Sequence, residues 1–307
     1  MPQCPFCHNQ SVIKYASACD VEYFTSDKMF DFYNCNACDI VFISPVPVNE
    51  LNIIYPANYY SFTAKNKSIA FRIKDFIDTI FYRKILKQIK GEKLRALDIG
   101  GGTGSLLDSM RKADKRISYT QVVDIDSNAK TAAEKNGHHY FCGTIESFND
   151  TTAYDVILML NLVEHVANPR EVMQKAASLL SDNGRIIIKT PNFKSLDANL
   201  FKKSYWGGLH CPRHWVLFTK NSFEQLAVEC NLQVRHFTYT QGAPFWGFSV
   251  LHWLHKRKWI RAGKDRPVIY HPLFGIISMA AAAFDFVRKP FAPLSQMFFV
   301  LSKKTGK

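Results

Sequence analysis

The segment from Leu94 to Lys112 restricts the fold more than any other part of the chain. Leu94 to Ile99 reads as a short apolar strand that runs directly into Asp98-Ile99-Gly100-Gly101-Gly102-Thr103-Gly104, with a helix expected from Ser105 to Lys112. Glycines there let the backbone turn tightly and approach a ligand closely, and the helix N-terminus offers free N–H groups. Two familiar phosphate-binding patterns fail at this place. A G-x-G-x-x-G register meets Ser105 or Leu107 where its third glycine should stand, and no Gly-Lys-Ser/Thr closes the turn as a P-loop requires. What remains is D-x-G-x-G-x-G, with Asp98 ahead of the first glycine.

Strands and helices then alternate. A strand expected over Ser118–Val123 ends in Asp124-Ile125-Asp126-Ser127. A carboxylate placed there, Asp124, can chelate both ribose hydroxyls of a nucleoside lying where the strand order reverses. Asp126 or Ser127 caps the next helix, which runs to Asn136-Gly137. Strands over His138–Cys142 and Tyr154–Leu158 follow, and the second leads into Asn161-Leu162-Val163-Glu164-His165. Asn168-Pro169-Arg170-Glu171 supplies an N-cap, a proline at the first helical position and an acid at the third. That helix should end near Leu180, turn at Asp182-Asn183-Gly184 and feed a strand over Arg185–Lys189. A helix over Phe223–Cys230, a strand over Gln233–Tyr239 and a final antiparallel strand over Gln296–Ser302 complete the pattern. Such alternation predicts an α/β protein with a parallel, doubly wound sheet.

The N-terminal segment is built on different chemistry. Cys4-Pro5-Phe6-Cys7 and Cys35-Asn36-Ala37-Cys38 form two Cys-x-x-Cys pairs with 27 residues between them. Each pair can present two thiolates to one side, and together Cys4, Cys7, Cys35 and Cys38 make a tetrahedral site for a structural zinc. Short strands over Ser11–Tyr15, Val21–Phe24 and Met29–Tyr33 would suit a zinc ribbon; His8 could replace one ligand, but a solvated His beside the first pair is the expectation. Eight cysteines in 307 residues are too sparse for a disulfide scaffold. No apolar h-region follows Met1, so a cytoplasmic protein in a reducing compartment is expected. Ser44-Pro45-Val46-Pro47 cannot continue a strand and marks a linker. The aromatic run Tyr55-Pro56-Ala57-Asn58-Tyr59-Tyr60 comes next, then a helix expected from Ile69 to Lys90 and stopped by Gly91. The expected organisation is a zinc ribbon over residues 1–45, a linker and helix over 46–91, and the α/β domain over 92–307.

These motifs resemble the class I S-adenosylmethionine-dependent methyltransferases. LDIGGGTG is similar to the family's first motif, VVDID to its ribose-binding second strand, and YDVILMLNLVEHVANP to its fourth strand with the Glu-His that follows. The order of cysteine pairs, Pro-x-Pro, Tyr-Tyr and then these motifs resembles a bacterial subgroup that carries an N-terminal zinc ribbon. So does the stretch Tyr205-Trp206-Gly207-Gly208 through Pro212-Arg213-His214 to Leu217-Phe218-Thr219. The resemblance implies a Rossmann-like seven-stranded sheet that binds S-adenosylmethionine through Asp98, Gly100, Gly102, Gly104, Asp124 and Asn161. Family members commonly carry an acid after strand three that accepts the adenine amino group. Thr144 stands at that place, so Thr144 or the Ile145 backbone N–H would serve.

A methyl group on a sulfonium is already activated, so the protein's work is alignment within about 3–3.5 Å and the management of one proton. His165, just beyond strand four, is the first candidate base, with Glu164 to orient it. His210 and His214 would line the acceptor pocket. In related quinone O-methyltransferases a comparable loop with extra acids binds a divalent ion, whereas Asn161 occupies the first such position here. Nucleobase amino methylation needs Asn/Asp-Pro-Pro-Tyr/Phe after strand four, and pyrimidine C5 methylation needs a cysteine there; Asn161-Leu162-Val163-Glu164 matches neither. O-methylation, or C-methylation beside a carbonyl, of a small molecule, glycan or lipid-linked intermediate is the expectation.

Charge points to a partner. The chain carries a formal +13, and from Phe245 onward eleven basic residues face only Asp265 and Asp285, which places +9 there. Residues 241–293 form an insertion between strands six and seven, starting on the cofactor side of the sheet. Trp246, Trp253 and Trp259 accompany Lys256, Arg257, Lys258 and Arg261, the composition of an interfacial segment. The uncharged run from Pro267 to Phe284 holds two prolines and a glycine and is too short and broken to span a bilayer. An anionic membrane surface is the expected contact, which would make the protein peripheral on the inner face of the membrane. The rival reading is an RNA methyltransferase or zinc-bearing nucleic-acid binder, and a third is a non-catalytic module that retains S-adenosylmethionine.

Overall fold

A computed structural model describes residues 2–56, 79–203 and 205–304. Two sheets organise them. The larger has seven strands: β4 (Leu94–Ile99), β5 (Ile117–Asp124), β6 (His139–Cys142), β7 (Tyr154–Leu160), β8 (Leu180–Pro191), β10 (Leu232–Thr240) and β11 (Gln296–Lys303). Their order is β10-β11-β8-β7-β4-β5-β6, and only β11 runs against its neighbours. This is the Rossmann-like sheet of the class I methyltransferase fold. Its central strands bury both faces, as parallel strands must. Val156, Ile157, Leu158 and Met159 on β7 are all fully buried. At roughly 1.5–3 kcal/mol for each such side chain, β7 is a fixed base for the loop that leaves its C-terminal end.

The smaller sheet is antiparallel, in the order β1 (Val12–Ala18), β2 (Phe30–Cys35), β3 (Val41–Ser44), β9 (Val216–Leu217). β9 belongs to the loop after β8, so the cysteine-bearing segment and the α/β domain share a sheet. Buried residues of both, from Phe32 and Phe42 to Leu97 and Ile188, form one continuous core.

Three local expectations change. Val21–Phe24 is not a strand, because the buried Asp20 carboxylate accepts hydrogen bonds from the backbone N–H groups of Glu22, Tyr23 and Thr25 and curls the segment around itself. The turn expected at Asp182-Asn183-Gly184 lies inside β8, which pairs with β7 at Tyr154–Leu180, breaks register, and resumes at Val156–Arg185. Of the helix expected over Ile69–Lys90, residues 79–86 are helical and residues 57–78 lie outside the described residues. Tyr59 and Tyr60 lie outside them as well.

Between β10 and β11 the insertion folds as a helical hairpin, Ala243–Lys256 and Pro272–Arg288. Gly247 permits the close crossing, since a Cβ there would lie 2.6 Å from the Ser278 hydroxyl. Among the described residues, no helix is long and apolar enough to cross a membrane.

Candidate functional site

The glycine turn sits at the C-terminal end of β4, and its backbone explains its composition. Gly104 caps helix Ser105–Ala113 in the left-handed region, φ 76°, where a Cβ would also strike the His138 ring at 2.4 Å. At Gly101 a Cβ would lie 2.6 Å from the Asp98 carboxyl. Asp98 itself is buried, its Oδ2 has no hydrogen-bond partner, and burial together with the Asp124 charge holds its carboxyl well above the usual range. Asp124 ends β5, where its Oδ2 accepts from Gly102 N at 2.8 Å and its Oδ1 from Asp126 N at 2.9 Å. Burial raises this carboxyl too. A carboxylate has about four acceptor positions, so Asp124 ties down the glycine turn and keeps capacity for a ligand's hydroxyls. Thr144 is exposed and Ile145 buried just past β6, where Gly143 N donates to the Asp124 carbonyl at 2.9 Å. Thus Asp98, Gly100, Gly102, Gly104, Asp124, Thr144 and Ile145 lie along the C-terminal ends of β4, β5 and β6. An orphaned buried carboxyl and a cradle without Cβ atoms suit a nucleoside-bearing ligand such as S-adenosylmethionine.

Asn161 follows β7 with φ 54°; its N–H donates to the Lys189 carbonyl at 2.7 Å and its Oδ1 accepts from Gln296 at 3.1 Å. The side chain therefore faces β11, and Leu162 is the residue that touches the glycine turn, against Gly100.

One turn further on, Glu164 and His165 meet His210 and His214 from the loop after β8. The ring centroids of His165 and His214 are 4.6 Å apart, those of His210 and His214 5.0 Å, and those of His165 and His210 6.0 Å. Burial lowers all three imidazoles, His165 to about 3. Glu164 is fully buried and pushed up to about 8 by that burial; Thr190 donates to its Oε2 at 3.0 Å, and its Oε1 has no partner. His214 Nδ1 donates to the Gly208 carbonyl at 2.8 Å, which leaves its Nε2 lone pair 3.9 Å from Glu164 Oε1. Ligand atoms of Glu164, His165 and His214 all lie within 4.8 Å of one another. His214 thus stands across from a loop that lacks an acid at Asn161, and the trio could share a proton or hold a divalent ion.

The N-terminal segment supplies residues to this cluster that sequence reasoning missed. Tyr55 OH lies 3.0 Å from His165 Nδ1. Glu22 Oε2 lies 2.5 Å from His210 Nδ1. Arg213, fully buried, donates to Asp20 at 2.7 Å and to the Ile54 carbonyl at 2.6 Å. Burial alone would raise Asp20, but the Arg213 charge and its hydrogen bonds hold the carboxyl below the usual range. The aromatic run at Tyr55 was a visible signal, whereas Glu22 and Asp20 carry none locally.

Cys4, Cys7, Cys35 and Cys38 converge, with Sγ atoms 3.6 Å apart for Cys4–Cys38 and 3.5 Å for Cys7–Cys35, and all four within 4.8 Å. Tetrahedral zinc with Zn–S bonds of about 2.3 Å requires sulfurs ~3.7 Å apart, so this donor set fits one zinc ion.

A family model described as a methyltransferase domain matches residues 70–237, more than half of the chain. The chain belongs to this family of class I S-adenosylmethionine-dependent methyltransferases. Curated proteins named ubiquinone biosynthesis O-methyltransferase are similar to it. The one from Rickettsia prowazekii (strain Madrid E) is 33% identical over 146 residues, 44% of this chain and 57% of that protein. The one from Parvibaculum lavamentivorans is 35% identical over 173 residues, 52% of this chain and 67% of that protein. The matched stretch thus spans little more than half the length of the first of these relatives. Coclaurine N-methyltransferase bound to N-methylheliamine and SAH superposes with a TM-score of 0.52 at 12% identity, covering 84% of this chain and 82% of that one. At that identity the likeness concerns the fold alone.

Proposed function

We propose that the protein is an S-adenosylmethionine-dependent O-methyltransferase of a small-molecule hydroxyl acceptor that is lipid-linked and met at a membrane surface. The observation that carries this reading is the cluster formed by the half-buried imidazole of His165 and the buried ones of His210 and His214 beside Glu164, held against the loop that touches the glycine turn. The bound cofactor would supply a methyl group already activated by its sulfonium. The chain's own residues then have two tasks, to orient the acceptor oxygen and to receive its proton. His165 is the candidate base, with Tyr55 fixing its ring and Glu164 and His214 behind it.

The acidity of the acceptor narrows its class. A phenol, with a pKa of about 10, or an enol gives up its proton to a side-chain base far more readily than an aliphatic alcohol does. The relatives' printed names, O-methyltransferases of ubiquinone biosynthesis, favour oxygen over carbon as the methylated atom. Asp98, the glycines and Asp124 are the proposed cofactor contacts, with Thr144 or the Ile145 N–H toward adenine. Zinc held by Cys4, Cys7, Cys35 and Cys38 has a structural role.

The test is transfer of labelled methyl groups from S-adenosylmethionine to a panel of phenolic, enolic and aliphatic hydroxyl compounds, lipid extracts and RNA. Label should enter phenolic or enolic acceptors and lipid extract. Asp124→Ala should weaken cofactor binding by about 1–3 kcal/mol, since it removes charge-assisted hydrogen bonds. Label entering RNA alone would overturn the acceptor class, and unchanged affinity in the variant would overturn the ribose site.

A further inference from the structure

The helical hairpin between β10 and β11 is built inside out. In a surface helix the charged residues face water and the apolar ones face the protein. Helix Pro272–Arg288 does the reverse. Its one acid, Asp285, is fully buried and paired with Arg288 at 2.8 Å, on the side that packs against helix Ala243–Lys256. Gln241 donates to the Ala282 carbonyl, and Trp246 meets Phe284 at 5.9 Å. The outer side carries Ile276, Met279 (66% exposed), Ala283, Phe286 (74%) and Val287, and Phe291 (87%) follows just past the helix end. At 3.6 residues per turn these helical positions fall in one continuous arc that holds no charged residue. Isolated exposed apolar side chains are ordinary, but a contiguous face of large ones marks an interaction surface.

Cations frame this face at both ends. The end of helix Ala243–Lys256 and the loop after it expose Lys256, Arg257, Lys258, Arg261, Lys264 and Arg266 with only Asp265 among them, and Trp259 beside them is 65% exposed. Lys289 is exposed at the other end. Arg257 lies over the Trp253 ring at 4.3 Å, so cation and aromatic are held together. A helix of 17 residues is only about 25 Å long, short of the roughly 30 Å hydrocarbon core of a bilayer. Such a helix can lie in the interface but cannot span it. We infer that helix Pro272–Arg288 docks flat on an anionic lipid surface, its outer apolar face in the headgroup–acyl boundary and the loop of residues 256–266 over the headgroups.

The occupant follows from charge complementarity. A purely apolar partner would leave the framing cations without counter-charge, and a polyanion without an apolar layer would leave Met279, Phe286 and Phe291 in water. A lipid interface satisfies both. The partner helix Ala243–Lys256 also walls the histidine site. Ser249 Oγ accepts from Gly207 N at 2.8 Å, and the Phe245 ring lies 6.5 Å from that of His214. Docking would therefore place the histidine cluster behind helix Ala243–Lys256, one helix layer from the lipid-facing helix. The surface itself does not depend on the methyl-transfer reading.

Vesicle flotation tests it without any turnover. The full-length protein should float with vesicles of phosphatidylcholine mixed with phosphatidylglycerol, fail to float with phosphatidylcholine alone, and be released by salt, because screening shortens the reach of surface charge. Two variants carry the discrimination. Ile276→Glu with Phe286→Glu changes only exposed positions. Replacing Lys256, Arg257, Lys258 and Arg261 by Gln removes four cations. Each cation near an anionic bilayer is worth roughly a factor of five, so this second variant should partition at least about 100-fold more weakly. Both should keep the parent's melting temperature and cofactor affinity. Equal flotation of either variant and the parent would overturn the inference. So would a failure of the parent to float, a dimer in sedimentation that Ile276→Glu disrupts, or displacement from vesicles by RNA at matched charge.

Discussion

Replacing Glu22 by Gln should flatten the pH dependence of folding stability above neutrality. Glu22 Oε2 and His210 Nδ1 share a 2.5 Å hydrogen bond, and both side chains are out of water. Burial raises the carboxyl from 4.5 to about 8, against the opposing pull of the His252 and Arg213 charges, and burial likewise depresses His210. Whichever partner carries it, the folded pair keeps one proton up to about pH 8. In the unfolded chain the carboxyl loses its proton near 4.5 and the imidazole near 6.5. Between pH 6.5 and 8 the folded state therefore binds more protons than the unfolded state, and stability falls as pH rises. Each unit of pH is worth 1.36 kcal/mol per proton, so the pair accounts for a loss of about 2 kcal/mol across that window. Glu164, also raised to about 8, contributes a loss of the same sign and similar size. Gln keeps the shape and a hydrogen bond to His210 but cannot ionise. The variant should therefore lose about 2 kcal/mol less than the parent over that window. Urea unfolding followed by tryptophan fluorescence, in half-unit steps from pH 6.5 to 8, reads this difference directly. Parallel curves for parent and variant, within about 0.5 kcal/mol, would refute a buried proton at Glu22.

Gly101→Ala places a Cβ 2.6 Å from the buried Asp98 carboxyl, which has little room to retreat. It should cost about 1–3 kcal/mol of stability and weaken S-adenosylmethionine binding at least tenfold, read by thermal melting and calorimetry. Elemental analysis should find one zinc per chain, and Cys35→Ser should abolish it. Because β3 pairs with β9, that variant should also become sensitive to proteolysis between residues 206 and 219, whereas an intact loop without zinc would contradict the coupling.

Periodicity and local backbone chemistry were sufficient for most of the fold. An apolar strand, a glycine turn and a capped helix each state their conformation within a few residues, so the seven strands of the large sheet, the place of the insertion and the converging cysteine pairs were legible from the chain. The placement of Asp98, the glycines and Asp124 at strand ends was legible for the same reason, since a strand end followed by a helix N-terminus is a local arrangement. Contacts between segments far apart in sequence were not. Glu22 reaches His210, Asp20 reaches Arg213, and β9 completes the sheet of the cysteine segment. Each depends on where two loops meet, and neither loop alone carries a periodic signal. The insertion shows the same division. Its composition revealed cations and aromatic rings beside one another, but composition is blind to which side of a helix faces inward. Packing against Ala243–Lys256 decided that, by turning Asp285 toward the protein and leaving Met279, Phe286 and Val287 outside.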